Sequence, residues 1–344
     1  MSDELKARIT AYLRARMPEA GAVEITALSR IHGGASRETF RVRVNMERGG
    51  ERGLIFRRDP VSTLIETDRQ IEFAAYRSFR DSNVPVPGAL FLETETQWLE
   101  RPFFVMEEIE GGTAASILSA DPYGPHAAKI GEQFFSILGR IAARDVKSSE
   151  LAQHSQMPKP GEAWARELAH WEKVIDEDEL ERQPIARAAI RWMRRNPPPP
   201  AQRISIVHGD YRTGNFLHDG QGRIIAILDW EMAHLGDPLE DLAWALDPLW
   251  SHHNPAKPAG TIAGAAAIAT WEKASGLKAD PKALAWWSTF ASLKGLAIWI
   301  SSAKEFQSGT NTDPVMAFSG LYCLPFHNKV LADRLVALDA EQRP

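Results

Sequence analysis

Asp210, Asn215 and Asp229 are the residues whose types and spacing could most readily do chemistry together. They lie in the run HGDYRTGNFLHDGQGRIIAILDWEMAHLGDPLEDLAW, between His208 and Trp244. Gly214 permits a tight turn between Asp210 and Asn215. The stretch that follows reads as a hairpin: NFLH, a DGQG turn, then RIIAIL. With the turn centred on Gly220-Gln221, Asn215 and Asp229 both fall toward the open end of the two strands. An amide oxygen and a carboxylate placed there suit Mg²⁺, which takes few hard oxygens from protein and leaves the rest to phosphates and water. A second carboxylate nearby can orient a hydroxyl and take its proton. Positioning and charge neutralisation of this kind are what phosphoryl transfer asks of a protein. Asp and Asn are also common turn residues, but the ordered motif around them favours the chemical reading.

Two sets of elements must hold these groups. Residues 1–108 read as strands around one helix. VEITALSRI (23–31), ETFRVRV (38–44) and LIFRR (54–58) are strands, and Phe40, Val42 and Val44 alternate with arginines. A helix is expected over 66–80 and ends before VPVPG, because proline lacks the amide and disfavours helix ahead of it. GALFLET and PFFVMEEIE are further strands. Leu5, Ile9 and Leu13 mark a helix at the start, with Pro18 as its stop. Residues 109–344 are mostly helical, with helices expected over 126–144 and 161–175. The prolines at 197–200 form a stiff connector to the strand RISIVHG (203–209). The fold class expected is α+β with two lobes, a β-rich N-lobe and a helical C-lobe.

Composition narrows the function classes. The chain has 344 residues, 44% hydrophobic and 25% charged, ordinary for a globular protein. Its formal net charge is −5 and it has no Lys/Arg-rich block, which argues against a nucleic-acid partner or an anionic membrane surface. No apolar signal-type segment opens the sequence, and the apolar run 260–271 is too short to insert in a membrane. Cys323 is the lone cysteine, so no intrachain disulfide can form and a reducing, cytoplasmic setting is expected. Oligomeric state is left open.

With HGD…N…LDWE…GDPLEDLA in order, the sequence resembles the aminoglycoside phosphotransferase and choline kinase superfamily, whose fold is that of the protein kinases. It is most similar to the kinase-like domain found with acyl-CoA dehydrogenases in family members ten and eleven. The resemblance runs by motif over residues 25–245 and implies ATP and Mg²⁺ as cofactors. It implies Asp210 as catalytic base and Asn215 and Asp229 as metal ligands. Gly33, Gly34 and Ser36 would cover the phosphates, where missing side chains let backbone amides approach. Arg57 would take the place of the strand lysine on the α- and β-phosphates, with Glu72 as its ion-pair partner. Glu107 and Ile109 would form the adenine-binding hinge, and Asp237 and Asp241 would buttress the catalytic segment. Arginine keeps the charge of lysine but is larger and forked. Arg58 would be the contact if the strand register were one residue off.

His208 is read as a structural histidine that braces the loop, not as the base. Most of the tryptophans lie in the C-lobe, and Trp286, Trp287 and Trp299 are read first as core, with some left to wall an apolar acceptor pocket. The leading function is an ATP-dependent kinase acting on the hydroxyl of a small-molecule acceptor, a hydroxy acid or hydroxyacyl compound by resemblance. An aminoglycoside or choline-type kinase is the first alternative. A nucleotide-binding pseudokinase that serves as an interaction module is the second.

Overall fold

The computed structural model describes residues 3–31, 38–59, 68–251 and 253–342. In chain order the elements begin with α1 (Asp3–Arg16), β1 (Val23–Ile31), β2 (Glu38–Met46), β3 (Gly50–Arg58), α2 (Arg69–Ser78), β4 (Ala89–Glu93) and β5 (Phe103–Glu107). These strands form one antiparallel sheet in the order β1-β2-β3-β5-β4. Alternation along β3 sorts its side chains onto two faces. Leu54 and Phe56 join an apolar cluster with Ile9, Tyr12 and Leu13 of α1, whereas Ile55 belongs to the large core shared with α2 and the second lobe. Arg57 therefore shares its face with Ile55, and Arg58 shares the α1 face with Phe56. Helix α2 starts at Arg69, where Asp68 accepts the Gln70 amide at 2.7 Å as an N-cap. It ends at Ser78, short of the expected 80, and Phe79 and Arg80 continue as a turn whose amides bond back to Tyr76 and Arg77.

The second lobe opens with β6 (Thr113–Ala114), α3 (Ala127–Ala143), α4 (Leu151–His154), α5 (Ala163–Asp178) and α6 (Pro184–Arg195). The proline run then leads into β7 (Ser205–Val207), followed by β8 (Phe216–His218), β9 (Ile224–Ile227), β10 (His234–Gly236) and α7 (Leu239–Ala245). Helices α8 (Gly264–Ser275), α9 (Pro281–Ser308), α10 (Pro314–Phe318) and α11 (Leu324–Gln342) complete the chain. The bilobal α+β architecture is as expected, and the two central helices stand within two or three residues of their expected bounds. Two short strands were not expected. The first, β6, pairs with β8, and the second, β10, pairs with β7. Each is too short to show an alternation. The hairpin pairs Phe216 with Ile227 and Leu217 with Ala226, and Asp219 closes its turn by accepting the Gln221 and Arg223 amides at 2.8 and 3.0 Å.

Trp286 and Trp287 of α9 are at most 1% exposed. They are core, and α9 is the buried axis of this lobe. Among the described residues, no helix is long and apolar enough to cross a membrane.

Tyr12 is fully buried and meets Phe56, Trp98 and Phe103 edge-on, with ring centroids 6.2, 5.4 and 4.8 Å away. Tyr12→Ala should destabilise the first lobe by about 3–5 kcal/mol. Urea unfolding followed by tryptophan fluorescence should show a lower midpoint; an unchanged midpoint would mean that α1 is dispensable to the sheet.

Candidate active site

The catalytic-loop candidates are positioned from below by one buried carboxylate. Asp241, on the first turns of α7, accepts the His208 amide at 2.6 Å and the Gly209 amide at 2.9 Å. Burial pushes its pKa up to about 6 even though both amides favour the charged form. Gly209 has φ +84°, and a Cβ there would stand 2.3 Å from the Met232 carbonyl, so glycine is required on both counts. Lys294 of α9, also buried, donates to the Gly209 carbonyl at 2.6 Å and pairs with Glu240 at 2.9 Å. Asp237 starts α7 by accepting the Leu239 amide at 3.0 Å, and Trp287 donates to its other oxygen at 3.1 Å. Burial raises its pKa to about 6.

His208 is fully buried. Its Nδ1 accepts the Asp210 amide at 3.1 Å, so Nε2 carries the hydrogen and donates to the Leu228 carbonyl at 2.9 Å. The ring links the turn before Asp210 to the residue before Asp229, and it lies 4.5 Å from the Trp230 ring. Burial depresses its pKa to about 4.

Asp210 is held on both carboxylate oxygens. Arg212 Nε donates to each at 3.0 Å, Trp244 Nε1 donates to Oδ1 at 2.9 Å, and Asn215 Nδ2 donates to Oδ2 at 2.6 Å. Asn215 also donates to the Asp210 carbonyl at 2.9 Å. With its amide nitrogen committed to Asp210, Asn215 keeps its side-chain oxygen as the atom a cation would use. The Asn215 carbonyl accepts the Leu228 amide at 2.8 Å, which sets Asp229 one residue beyond Asn215 across the open end of the hairpin.

Asp229 has φ +67°, a left-handed conformation uncommon outside glycine and characteristic of constrained sites. Its amide donates to the Tyr76 hydroxyl at 3.0 Å. Arg57 NH2 lies 2.9 Å from Asp229 Oδ1, while NH1 lies 2.8 Å from Glu72 Oε1. Glu231 is 3.6 Å from the same guanidinium. Burial works against charge on Asp229, but Arg57 outweighs it and holds the carboxyl below its usual range. Arg58 turns to the other face, pairs with Glu38 at 2.6 Å and covers the Phe40 ring. The register thus brings Arg57, not Arg58, to Glu72 and Asp229.

Glu107 ends β5 and gives its amide to the Gly88 carbonyl at 2.9 Å. Ile109 lies just beyond, between Glu108, which pairs with Arg41 at 2.8 Å, and Glu110, which pairs with Arg43. Gly33, Gly34 and Ser36 fall outside the described residues. The residues that sequence reasoning passed over are Arg212, Tyr76, Trp244 and Lys294. Arg212 stands two residues from Asp210 inside the same motif, so its neighbourhood was a usable signal. Trp244 closes the same run, three residues after Asp241 on α7, whereas Tyr76 and Lys294 come from distant helices and carry none.

The groups present fit a metal–nucleotide pair. Asn215 and Asp229 offer hard oxygens, and Arg57 Nε is buried without a hydrogen-bond partner among the described residues, a donor that a phosphate oxygen could satisfy.

A sequence profile described as the phosphotransferase enzyme family matches residues 27–277. The chain is 29% identical over 220 residues to mouse acyl-CoA dehydrogenase family member 10, covering 62% of this chain and 19% of that protein. It is 24% identical over 272 residues to human acyl-CoA dehydrogenase family member 11, covering 77% and 34%. The chain therefore spans only a minor part of these relatives. In fold it resembles a Ralstonia eutropha structure assigned provisionally to the aminoglycoside phosphotransferases. That match has TM-score 0.73 and 20% identity and covers 95% and 97% of the two chains. A choline kinase from Streptococcus pneumoniae matches with TM-score 0.61 at 15% identity, covering 94% and 99%.

The His208 arrangement makes a spectroscopic prediction. Its imidazole should remain neutral, as the Nε2–H tautomer, down to about pH 4. Nitrogen-15 NMR of labelled histidines should show a ring that stays neutral in the Nε2–H form between pH 8 and 5 and is lost in His208→Gln. Titration of that ring near pH 6.5 would remove the bracing role.

Proposed function

The chain belongs to the phosphotransferase enzyme family, and on that premise we propose that it transfers the γ-phosphate of ATP, with Mg²⁺, to an alcohol hydroxyl of a small molecule. The observation that carries this reading is the convergence of Asp210, Asn215 and Asp229 at the open end of one hairpin, with Arg57 buried against Asp229. Bound Mg²⁺–ATP would supply the electrophilic phosphorus and the charge that offsets its oxygens.

The chain's own groups have separate tasks. Asn215 Oδ1 and the Asp229 carboxylate would hold the metal. Arg57 would meet the α- and β-phosphates, its charge fixed by Glu72. Asp210 would orient the acceptor hydroxyl and accept its proton. An alcohol is far less acidic than a carboxylic acid, so the proton moves late, as charge leaves the oxygen, and Asp210 acts chiefly through position. Arg212, already on both Asp210 oxygens, would have to yield one of those bonds to the hydroxyl. Glu107 and Ile109 would offer backbone groups to adenine. Gly33, Gly34 and Ser36 would cover the phosphates.

For the acceptor we propose a hydroxy acid or hydroxyacyl compound. Support comes from the similarity to the two acyl-CoA dehydrogenase family members. The tryptophans of α9 lend less than their number implies, because Trp286 and Trp287 are core. Aromatic rings around the Asp210–Arg212 pair include Trp244, bonded to Asp210, and Trp250, whose ring lies 5.0 Å from the Arg212 guanidinium. ATP consumption measured across hydroxy acids, hydroxyacyl thioesters, aminoglycosides and choline tests this choice. Turnover of aminoglycosides or choline alone would replace the acceptor, and no turnover with intact ATP binding would favour an interaction module.

Two variants test the site. Arg57→Ala should lower kcat/KM for ATP by at least about tenfold, roughly 1.4 kcal/mol, while Arg58→Ala should do much less. The reverse ranking would show that the outer-face arginine serves the nucleotide. Asp210→Asn keeps the shape and removes the proton acceptor. Its kcat should fall by about 10²–10⁴-fold with little change in ATP affinity. Retention of more than roughly a third of wild-type kcat, with the chemical step limiting, would take Asp210 out of this role.

A further inference from the structure

A second cluster of ligating side chains lies apart from Asp210, Asn215 and Asp229. Glu167 of α5, His234 of β10 and Glu240 of α7 each bring one donor atom to within 4.8 Å of the others. His234 Nε2 stands 3.1 Å from Glu240 Oε2 and 3.6 Å from Glu167 Oε1. The other ring nitrogen, Nδ1, lies 3.0 Å from the Met232 carbonyl. A carbonyl only accepts, so Nδ1 carries the hydrogen. In the neutral ring Nε2 then turns its lone pair toward two carboxylates. Such an array needs a cation at its centre, either a proton on Nε2 or a metal ion.

The surroundings favour the metal. A bond from the remote ring N–H to a backbone carbonyl is the outer contact that orients a ligating imidazole. Glu167 and His170 are spaced three residues apart on α5 and so share a face. His170, Glu167 and His234 line one cavity of about 350 Å³. The cavity leaves room for an exchangeable ligand, as in sites that keep a position open. Lys294 occupies the opposite oxygen of Glu240, Oε1, at 2.9 Å and leaves Oε2 to face His234. Arg166 touches Glu167 Oε1 at 3.1 Å, but its side chain is 38% exposed and solvent screens it.

We propose that Glu167, His234 and Glu240 bind a divalent first-row transition metal, for which the mixed imidazole and carboxylate set suits Zn²⁺. This site is separate from the Mg²⁺ position assigned to Asn215 and Asp229. The ion would tie α5 to the segment between Asp229 and Asp241, so it would brace the part of the chain that carries both the metal carboxylate and the catalytic-loop clamp.

Calorimetric titration of Zn²⁺ into the full chain, stripped of metal and held in excess Mg²⁺ without nucleotide, tests the site. One Zn²⁺ per chain is expected. His234→Ala and Glu167→Gln should each weaken binding by more than about tenfold, while Asp229→Ala should retain it. Circular dichroism checks that each variant is folded, and Glu167→Gln, which removes charge but little volume, decides the matter if His234→Ala is not. No saturable Zn²⁺ binding to the wild type, or equal affinity in the wild type and the folded variants, would overturn the proposal and leave the proton as the cation on His234.

Discussion

A single buried guanidinium fixes the relation between the two lobes. Arg57 comes from the sheet, Glu72 from α2 and Asp229 from the end of the hairpin in the second lobe, and all three meet within hydrogen-bonding distance. A charge taken out of water is costly unless it is paired, and removing one partner of a buried pair typically costs about 3–5 kcal/mol. Arg57 is 9% exposed and Glu72 is fully buried, so neither can leave the other without that loss. The sheet must therefore keep the register that turns Arg57 inward, and α2 must keep the face that carries Glu72. The same guanidinium favours the ionised Asp229, so the constraint that orders the lobes also readies the proposed metal ligand.

The proposed catalytic loop depends on a second constraint of the same kind. His208 and Gly209 have amides that point away from any strand partner, and buried amides need acceptors. Asp241 supplies both, Lys294 covers the Gly209 carbonyl, and His208 spans to Leu228. The loop that presents Asp210 is thus held by buried side chains from α7 and α9 rather than by a ladder. Such a loop can place a carboxylate without following the pleat of a strand, which would suit the substrate-facing role proposed for Asp210.

Much of this was legible in the sequence. Alternation of Phe40, Val42 and Val44 gives β2, and the period of Ile71, Ala74 and Ala75 gives α2. The spacing of Asp210, Asn215 and Asp229 gives the convergence once the hairpin is recognised. What was not legible has a common cause. Tyr76 and Lys294 act on the site from helices whose own patterns are those of ordinary core, and a tertiary contact leaves no periodic trace. The short strands β6 and β10 show no alternation because two or three residues cannot. Arg57 and Arg58 are adjacent and chemically identical, and only the parity of β3 against its apolar clusters tells them apart.

The left-handed backbone at Asp229 follows from these constraints taken together. Residue 228 must end the hairpin so that its amide reaches Asn215 and its carbonyl reaches His208, while residue 230 must bury its indole beside Phe79 and His208. One residue lies between these two requirements, and its backbone must turn sharply to satisfy both. Asparagine and aspartate tolerate that conformation better than other side chains, yet aspartate alone can also pair with Arg57 and offer an ionised oxygen to a cation. Glycine would relieve the backbone and leave Arg57 short of a partner. The strain at this position, of order 1–3 kcal/mol, is sustained by the packing of Trp230 on one side and the hydrogen bonds of Leu228 on the other. The residue best suited to the chemistry is thus held in a conformation that its neighbours, not its own preference, dictate.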